Sequence, residues 1–186
     1  MTEAVHHPLC ELCQNDGGIL IVKTDKLRVV RVDDADYPGF YRVIWNDHVA
    51  EFTDLAPADH VPCLGAVAIV ETLVRQHLKP TKVNLASLGN VVPHLHWHVI
   101  ARFADDKHFP QPIWGQAQRE VPAERWSDMR AKLPALDQAI EAALISSLNA
   151  KAEKKGGSGL PFSFGASALI QRHAFSLNRS TTSAKV

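Results

Sequence analysis

The chain has 186 residues, 46% of them apolar and 22% charged, enough for one globular domain with a real core and an appendage. Lys and Arg together number 20, as do Asp and Glu, so the formal net charge is zero. That excludes the strongly basic composition of a nucleic-acid-binding protein. No run of about 18 consecutive apolar residues occurs, so no membrane span is expected. The N-terminus lacks the basic-then-apolar order of a secretory signal, which makes the cytoplasm the default location.

The elements follow in chain order. Residues 19–22 and 27–32 are short β-branched runs separated by Thr24, Asp25 and Lys26, and read as a hairpin. Residues 33–39 carry turn chemistry, and a third strand follows over 41–45. From 56 to 78 the period becomes helical, with Val61, Leu64, Ala68, Val70, Leu73, Val74 and Leu78 marking the apolar face and Lys79-Pro80 stopping the helix. Two further strands are predicted over 82–87 and 95–102, joined by a loop around Gly89 and Asn90. The proline-containing stretch 104–122 reads as surface loop. Residues 135–154, rich in Ala, Leu, Glu and Lys, read as a second helix. Gly156, Gly157, Ser158 and Gly159 predict a flexible break, and the Ser/Thr/Asn-rich end from Ser176 predicts disorder. The apolar stretch 160–175 has no clear period. Hairpins and few helices argue for an α+β domain on a five-stranded antiparallel sheet, with one long helix packed on it and a C-terminal helix. The expected division is a domain over 1–120, a helical extension over 121–155, and a linker and tail over 156–186.

The chemistry concentrates in His94-Leu95-His96-Trp97-His98. With side chains alternating on a strand that rises roughly 3.3 Å per residue, His94, His96 and His98 share one face, about 6.6 Å apart in succession. Leu95, Trp97 and Val99 then point into the core. A neutral imidazole is a competent nucleophile toward phosphorus, able to form a phosphoramidate that water later cleaves. Strand histidines also bind metal, and on residues alone the two readings stand level. The other histidines, apart from His48, read as structural residues. The chain has three cysteines, two of them spaced as Cys10-Glu11-Leu12-Cys13. In an unexported protein such a pair points to metal or redox chemistry before a disulfide. Cys63, within the long helix, reads as a small buried apolar residue.

The segment Gly89-Asn90-Val91-Val92-Pro93-His94-Leu95-His96-Trp97-His98-Val99-Ile100 resembles the signature of the histidine triad (HIT) superfamily, His-φ-His-φ-His-φ-φ after a glycine and an amide residue (φ apolar). Upstream, residues 39–48 resemble the family strand Gly-His-x-φ-φ-φ-Pro-x-x-His. The likeness spans about 9–114 and tips the triad toward catalysis. It implies a HIT-like fold and an enzyme that breaks the bond between a nucleotide's α-phosphate and a leaving group.

Carried across, His96 is implied as the nucleophile. His98 contacts the α-phosphate or bridging oxygen and assists the leaving group, and His94 buttresses the site. Asn84 matches a family asparagine near phosphate and ribose, and Asn90 the amide residue that polarises the phosphate or leaving group. Asp33 sits where a ribose-binding carboxylate often follows the second strand; the alternative is a plain turn residue. Some family members hold a structural zinc on a Cys-x-x-Cys pair, an upstream histidine and the first triad histidine, which correspond here to Cys10, Cys13, His48 and His94. The alternative is two reduced thiols and a loop histidine. Phe40 departs from the family histidine, Trp45 and Ala101 from family prolines, and Asn90 from the usual glutamine. These departures mark a divergent bacterial-type branch.

The resulting expectation is a nucleotidyl hydrolase or transferase acting on a nucleoside phosphoramidate or dinucleoside polyphosphate, adenylated, without an organic cofactor. A non-catalytic nucleotide-binding or zinc-stabilised interaction protein is the competing class. The resemblance also implies a homodimer, paired through the long helix and sheet edges.

Overall fold

A computed structural model describes residues 6–156. Helix α1 (Glu11–Gln14) leads to strands β1 (Ile19–Lys23), β2 (Leu27–Arg31) and β3 (Phe40–Trp45). Helix α2 (Pro57–Leu78), strands β4 (Lys82–Ala86) and β5 (His96–Arg102), and helix α3 (Ser127–Gly156) follow. The five strands form one open sheet in the order β1-β2-β3-β5-β4, and every adjacent pair is antiparallel. The α+β architecture expected from the strand and helix periods is therefore the one observed.

The pleat separates two chemistries. Val29, Tyr41, Val43, Trp45, Val83, Val99 and Ala101 point to one face and join residues of α2 and α3 in the main core. Arg28, Val30, Phe40, Arg42, Ile44, His96, His98, Ile100 and Arg102 alternate with them and share the other face. Gly39 makes the close approach at the start of β3, because a Cβ there would lie 2.7 Å from Leu78 Cδ1 and 2.9 Å from the Cβ of Ala101.

Helix α2 begins with Pro57 in its first turn and ends at Lys79, which adopts the left-handed conformation (φ 51°) as C-cap. Its buried residues are Cys63, Ala66, Val67, Val70, Val74 and Leu78. The expected face was wrong in its first half: Ala68 is exposed, Val61 is 78% exposed and Leu64 43% exposed. Apolar residues surround most of this helix, so spacing alone did not select the buried side. The same composition makes α2 long and apolar enough to cross a membrane by length and hydropathy. Here that segment packs its buried residues into the sheet core.

Helix α3 starts at Ser127, eight residues before the expected 135, and runs through Pro134. A proline usually ends a helix because it lacks an N–H and crowds the preceding turn. Met129, Leu133, Leu136, Ile140 and Leu144 are buried at helical spacing on both sides of it, and Pro134 itself faces solvent. The buried stripe thus carries the helix through the proline. On the core side, Asp137 of α3 accepts from Tyr41 Oη at 2.8 Å and from Arg31 Nε at 3.2 Å, tying the helix to the sheet. Apart from Gly156, the last residue of α3, the expected glycine break and tail lie outside the described residues.

Candidate active site and metal centre

His96 and His98 stand on β5 two residues apart, their rings tilted at 45° with centroids 4.8 Å apart. His96 is buried, and its Nδ1 lies 2.6 Å from the carbonyl oxygen of His94. A carbonyl only accepts, so Nδ1 carries the proton and Nε2 keeps its lone pair. Burial, with Arg42 adding to it, holds this imidazole below its ordinary pKa of 6.5, against the pull of the His94 carbonyl. The ring is neutral and its free nitrogen is nucleophilic.

His98 is equally buried, yet neither ring nitrogen has a hydrogen-bond partner among the described residues. Burial, then the neighbouring His96 and Arg42, pushes its pKa down to about 3. Its ring stacks on Phe40 at 5.4 Å between centroids and meets Trp114 edge-on at 5.1 Å. Buried polar atoms are ordinarily paired, so the two orphaned nitrogens leave this ring free to bond a polar ligand.

A second layer lies beside these histidines. Arg102, two strand positions beyond Ile100, donates Nε and Nη2 to the two carboxylate oxygens of Asp106 at 2.7 and 3.0 Å. Its Nη1 donates to Asn84 Oδ1 at 2.6 Å, which leaves the Asn84 amide hydrogens free to donate elsewhere. Asp106 is fully buried and also accepts the backbone N–H groups of Phe103, His108 and Phe109. Burial works to raise its pKa, but these donors and Arg102 together bring it below 3.8. Asp106 so fixes the first part of the stretch expected as plain surface loop, the stretch that delivers Trp114 to His98. Sequence reading missed Arg102, although it continues the period-two run from His94.

His94 precedes the strand and points to the N-terminal segment, which packs against Val30 and Ile44 on the His96 side of the sheet. Its Nε2 donates to the carbonyl of Trp45 at 2.7 Å, and its Nδ1 lies 3.4 Å from Cys10 Sγ and 3.5 Å from Cys13 Sγ. Cys13 Sγ is 3.4 Å from His48 Nδ1, and all four ligand atoms lie within 4.8 Å of one another. A tetrahedron with bonds of roughly 2.0–2.3 Å has edges of roughly 3.3–3.8 Å, and three of the separations in this group fall in that range. Two sulfurs and two imidazole nitrogens are also the donor set a closed zinc site takes, and the Trp45 carbonyl leaves Nδ1 of His94 as the ligand atom. The group can hold a metal ion.

Arg28 anchors the segment that carries both cysteines. It is buried, and donates to the carbonyls of Leu12 (2.5 Å), Asn15 (3.2 Å) and Asp16 (3.0 Å) and to Asn46 Oδ1 (3.3 Å). Burial lowers its pKa, with Asp16 opposing, but the guanidinium keeps its charge.

The model of the HIT domain family matches residues 15–105, the stretch that contains the sheet, α2 and all three triad histidines. A histidine triad protein from Bradyrhizobium japonicum is similar in structure, with 28% identity, a TM-score of 0.53, and 64% of this chain and 90% of that one covered. One from Marinobacter aquaeolei VT8 aligns at 25% identity and a TM-score of 0.56, covering 73% and 98%. A third, from Sinorhizobium meliloti 1021, aligns at 26% identity and 0.52, covering 64% and 90%. The chain belongs to the histidine triad superfamily. Among curated proteins no sequence matches it.

Within this HIT protein the family positions are distributed unevenly. His96, His98 and Asn84 share one face of the sheet, and Arg102 holds Asn84 there. Asn90 is exposed in the loop before the triad, where Gly89 takes φ +72°. Asp33 is exposed beyond β2 and bonds no triad residue. The turn there is made instead by Asp34, whose Oδ1 accepts from the backbone N–H groups of Asp36 and Tyr37. Phe40, in place of the family histidine, contributes an apolar ring under His98.

Proposed function

We propose that this HIT protein is a nucleotidyl hydrolase or transferase that cleaves at the α-phosphate through a covalent nucleotidyl-His96 intermediate. The reading rests above all on the His96 ring, whose Nδ1 proton is engaged by the His94 carbonyl so that Nε2 is left free beside an unpartnered His98. HIT membership supports a nucleotide-related chemistry.

In the first step Nε2 of His96 attacks the α-phosphorus, and the bond from phosphorus to the leaving atom breaks with its electron pair on that atom. The bound phosphate is an anion beside both rings and favours the protonated form of His98, which gives its proton to the leaving atom. Water then attacks phosphorus and returns a proton to His98, and the phosphorus–nitrogen pair goes back to Nε2. Asn84, held by Arg102, donates its amide hydrogens to phosphate or ribose; Asn90 and Asp33 reach the ligand through their loops. The substrate is a nucleoside phosphoramidate or dinucleoside polyphosphate, adenylated.

Cys10, Cys13, His48 and His94 would hold a structural zinc, which would staple the N-terminal segment to the catalytic strand and orient His94. A homodimer fits the exposed Val61 and Leu64 of α2 and Leu85 on the edge strand β4. The cytoplasm remains the proposed location.

Phe40 favours a second reading, a nucleotide-binding or zinc-stabilised protein without catalysis, because it removes a polar group beside the triad. Comparing turnover of adenosine phosphoramidate and diadenosine tetraphosphate separates the two. AMP release from either supports the enzyme, and binding without release supports the alternative.

A further inference from the structure

Arg42 does not fit the pattern around it. It occupies an apolar position of the family strand, and in the β3–β5 register it stands directly opposite His98. Residues so paired project to the same face with Cβ atoms about 5 Å apart. Its guanidinium carbon lies 5.5 Å from the centroid of the Phe40 ring, the same ring on which His98 stacks.

The other buried or half-buried arginines among the described residues are accounted for. Arg31 and Arg102 pair with Asp137 and Asp106, and Arg28 spans four oxygens. Arg42 has one acceptor, the Gly17 carbonyl, 3.2 Å from Nη1. Its Nε is buried without a partner, and no carboxylate pairs with it among the described residues. A half-buried guanidinium with one acceptor and no ion pair carries a desolvation cost that the Gly17 carbonyl and the more distant charge of Glu11 offset only in part. An anion bound beside it would offset the rest.

We propose that Arg42 binds the substrate's α-phosphate, serving as a fixed positive charge directly opposite His98. This deepens the nucleotidyl-transfer reading above and rests on it. A guanidinium presents parallel N–H donors that match two phosphate oxygens, and it stays charged at any physiological pH. Phe40 supports that geometry, because one face of an aromatic ring is an attractive seat for the cation and fixes its plane. The pair Phe40 and Arg42 thus replaces a titratable imidazole with a permanent cation.

The test is calorimetric binding of AMP and of adenosine to wild-type protein and to Arg42→Leu, Arg42→Gln and Arg42→Lys. Leu restores the apolar character of the family strand, and Gln keeps length and hydrogen bonding without charge. AMP affinity is expected to fall on the order of 10- to 100-fold in the Leu and Gln variants, with adenosine affinity unchanged and partial recovery in Lys. Equal loss of AMP and adenosine, or no loss in either uncharged variant, would overturn the assignment while leaving the nucleotide reading intact. A wild-type protein that binds neither ligand would instead overturn both. Should Leu misfold, the Gln and Lys variants carry the same comparison.

Discussion

Nδ1 of His96 lies 2.6 Å from the carbonyl oxygen of His94, its neighbour two residues back on the same chain. The first triad histidine thus selects the tautomer of the second through its backbone, while its own ring meets Cys10 and Cys13. One residue takes part in two clusters with different atoms. Any change that moves the His94 main chain is expected to affect both metal and catalysis.

The buried His98 gives a pH signature. In the folded protein it takes a proton only near pH 3, whereas the unfolded chain takes one near 6.5. Between those values the unfolded state binds more protons, so this residue makes the fold lose stability as pH falls through that window. An NMR titration of the ligand-free protein is expected to show the His98 ring neutral down to about pH 4. A midpoint near 6.5 would contradict its burial.

Metal content and stability are linked through the N-terminal segment. Protein purified from zinc-replete cells is expected to carry about one equivalent of zinc, and Cys13→Ala to lose both the metal and several degrees of melting temperature. Elemental analysis with thermal unfolding checks this. A metal-free preparation of full stability would exclude a structural role.

Arg28 holds that segment from the sheet side. Arg28→Met keeps the aliphatic stem but leaves the carbonyls of Leu12, Asn15 and Asp16 without their donor. The loss is expected at roughly 2–4 kcal/mol in denaturant unfolding. Arg28→Lys should recover little, since an ammonium cannot span the same fork of acceptors. Full recovery by Lys would reduce the role to charge alone.

Asp106→Asn tests the second layer. It removes the charge that compensates Arg102, which is only 2% exposed, and breaking such a buried pair costs about 3–5 kcal/mol. Because Arg102 also holds Asn84, nucleotide affinity is expected to fall in the variant at temperatures where it remains folded. Calorimetry at low temperature separates that loss from unfolding.

The sheet and the triad were legible because strand period and histidine period coincide. Cys10, Cys13, His48 and His94 could be grouped only through family resemblance, since the residues span 85 positions of chain and no local pattern joins them. The face of α2 was misplaced because its apolar residues surround the helix, and α3 was started late because Pro134 overrides propensity in any local reading. Arg28, Arg42, Arg102 and Asp106 escaped notice for a common reason. A lone charged residue in a strand or loop announces nothing until the fold shows what it faces.

The central claim is that His96 attacks phosphorus. Intact-mass measurement of protein mixed rapidly with adenosine phosphoramidate or diadenosine tetraphosphate tests it most directly. Wild-type protein is expected to gain one acid-labile adenylyl group transiently. His96→Asn, which keeps size and some hydrogen bonding, should show no adduct and turnover reduced by several orders of magnitude, about the loss other enzymes suffer without their nucleophile. An adduct on His96→Asn, or turnover near the wild-type rate, would contradict the covalent mechanism and return the triad to a metal-binding or ligand-binding role.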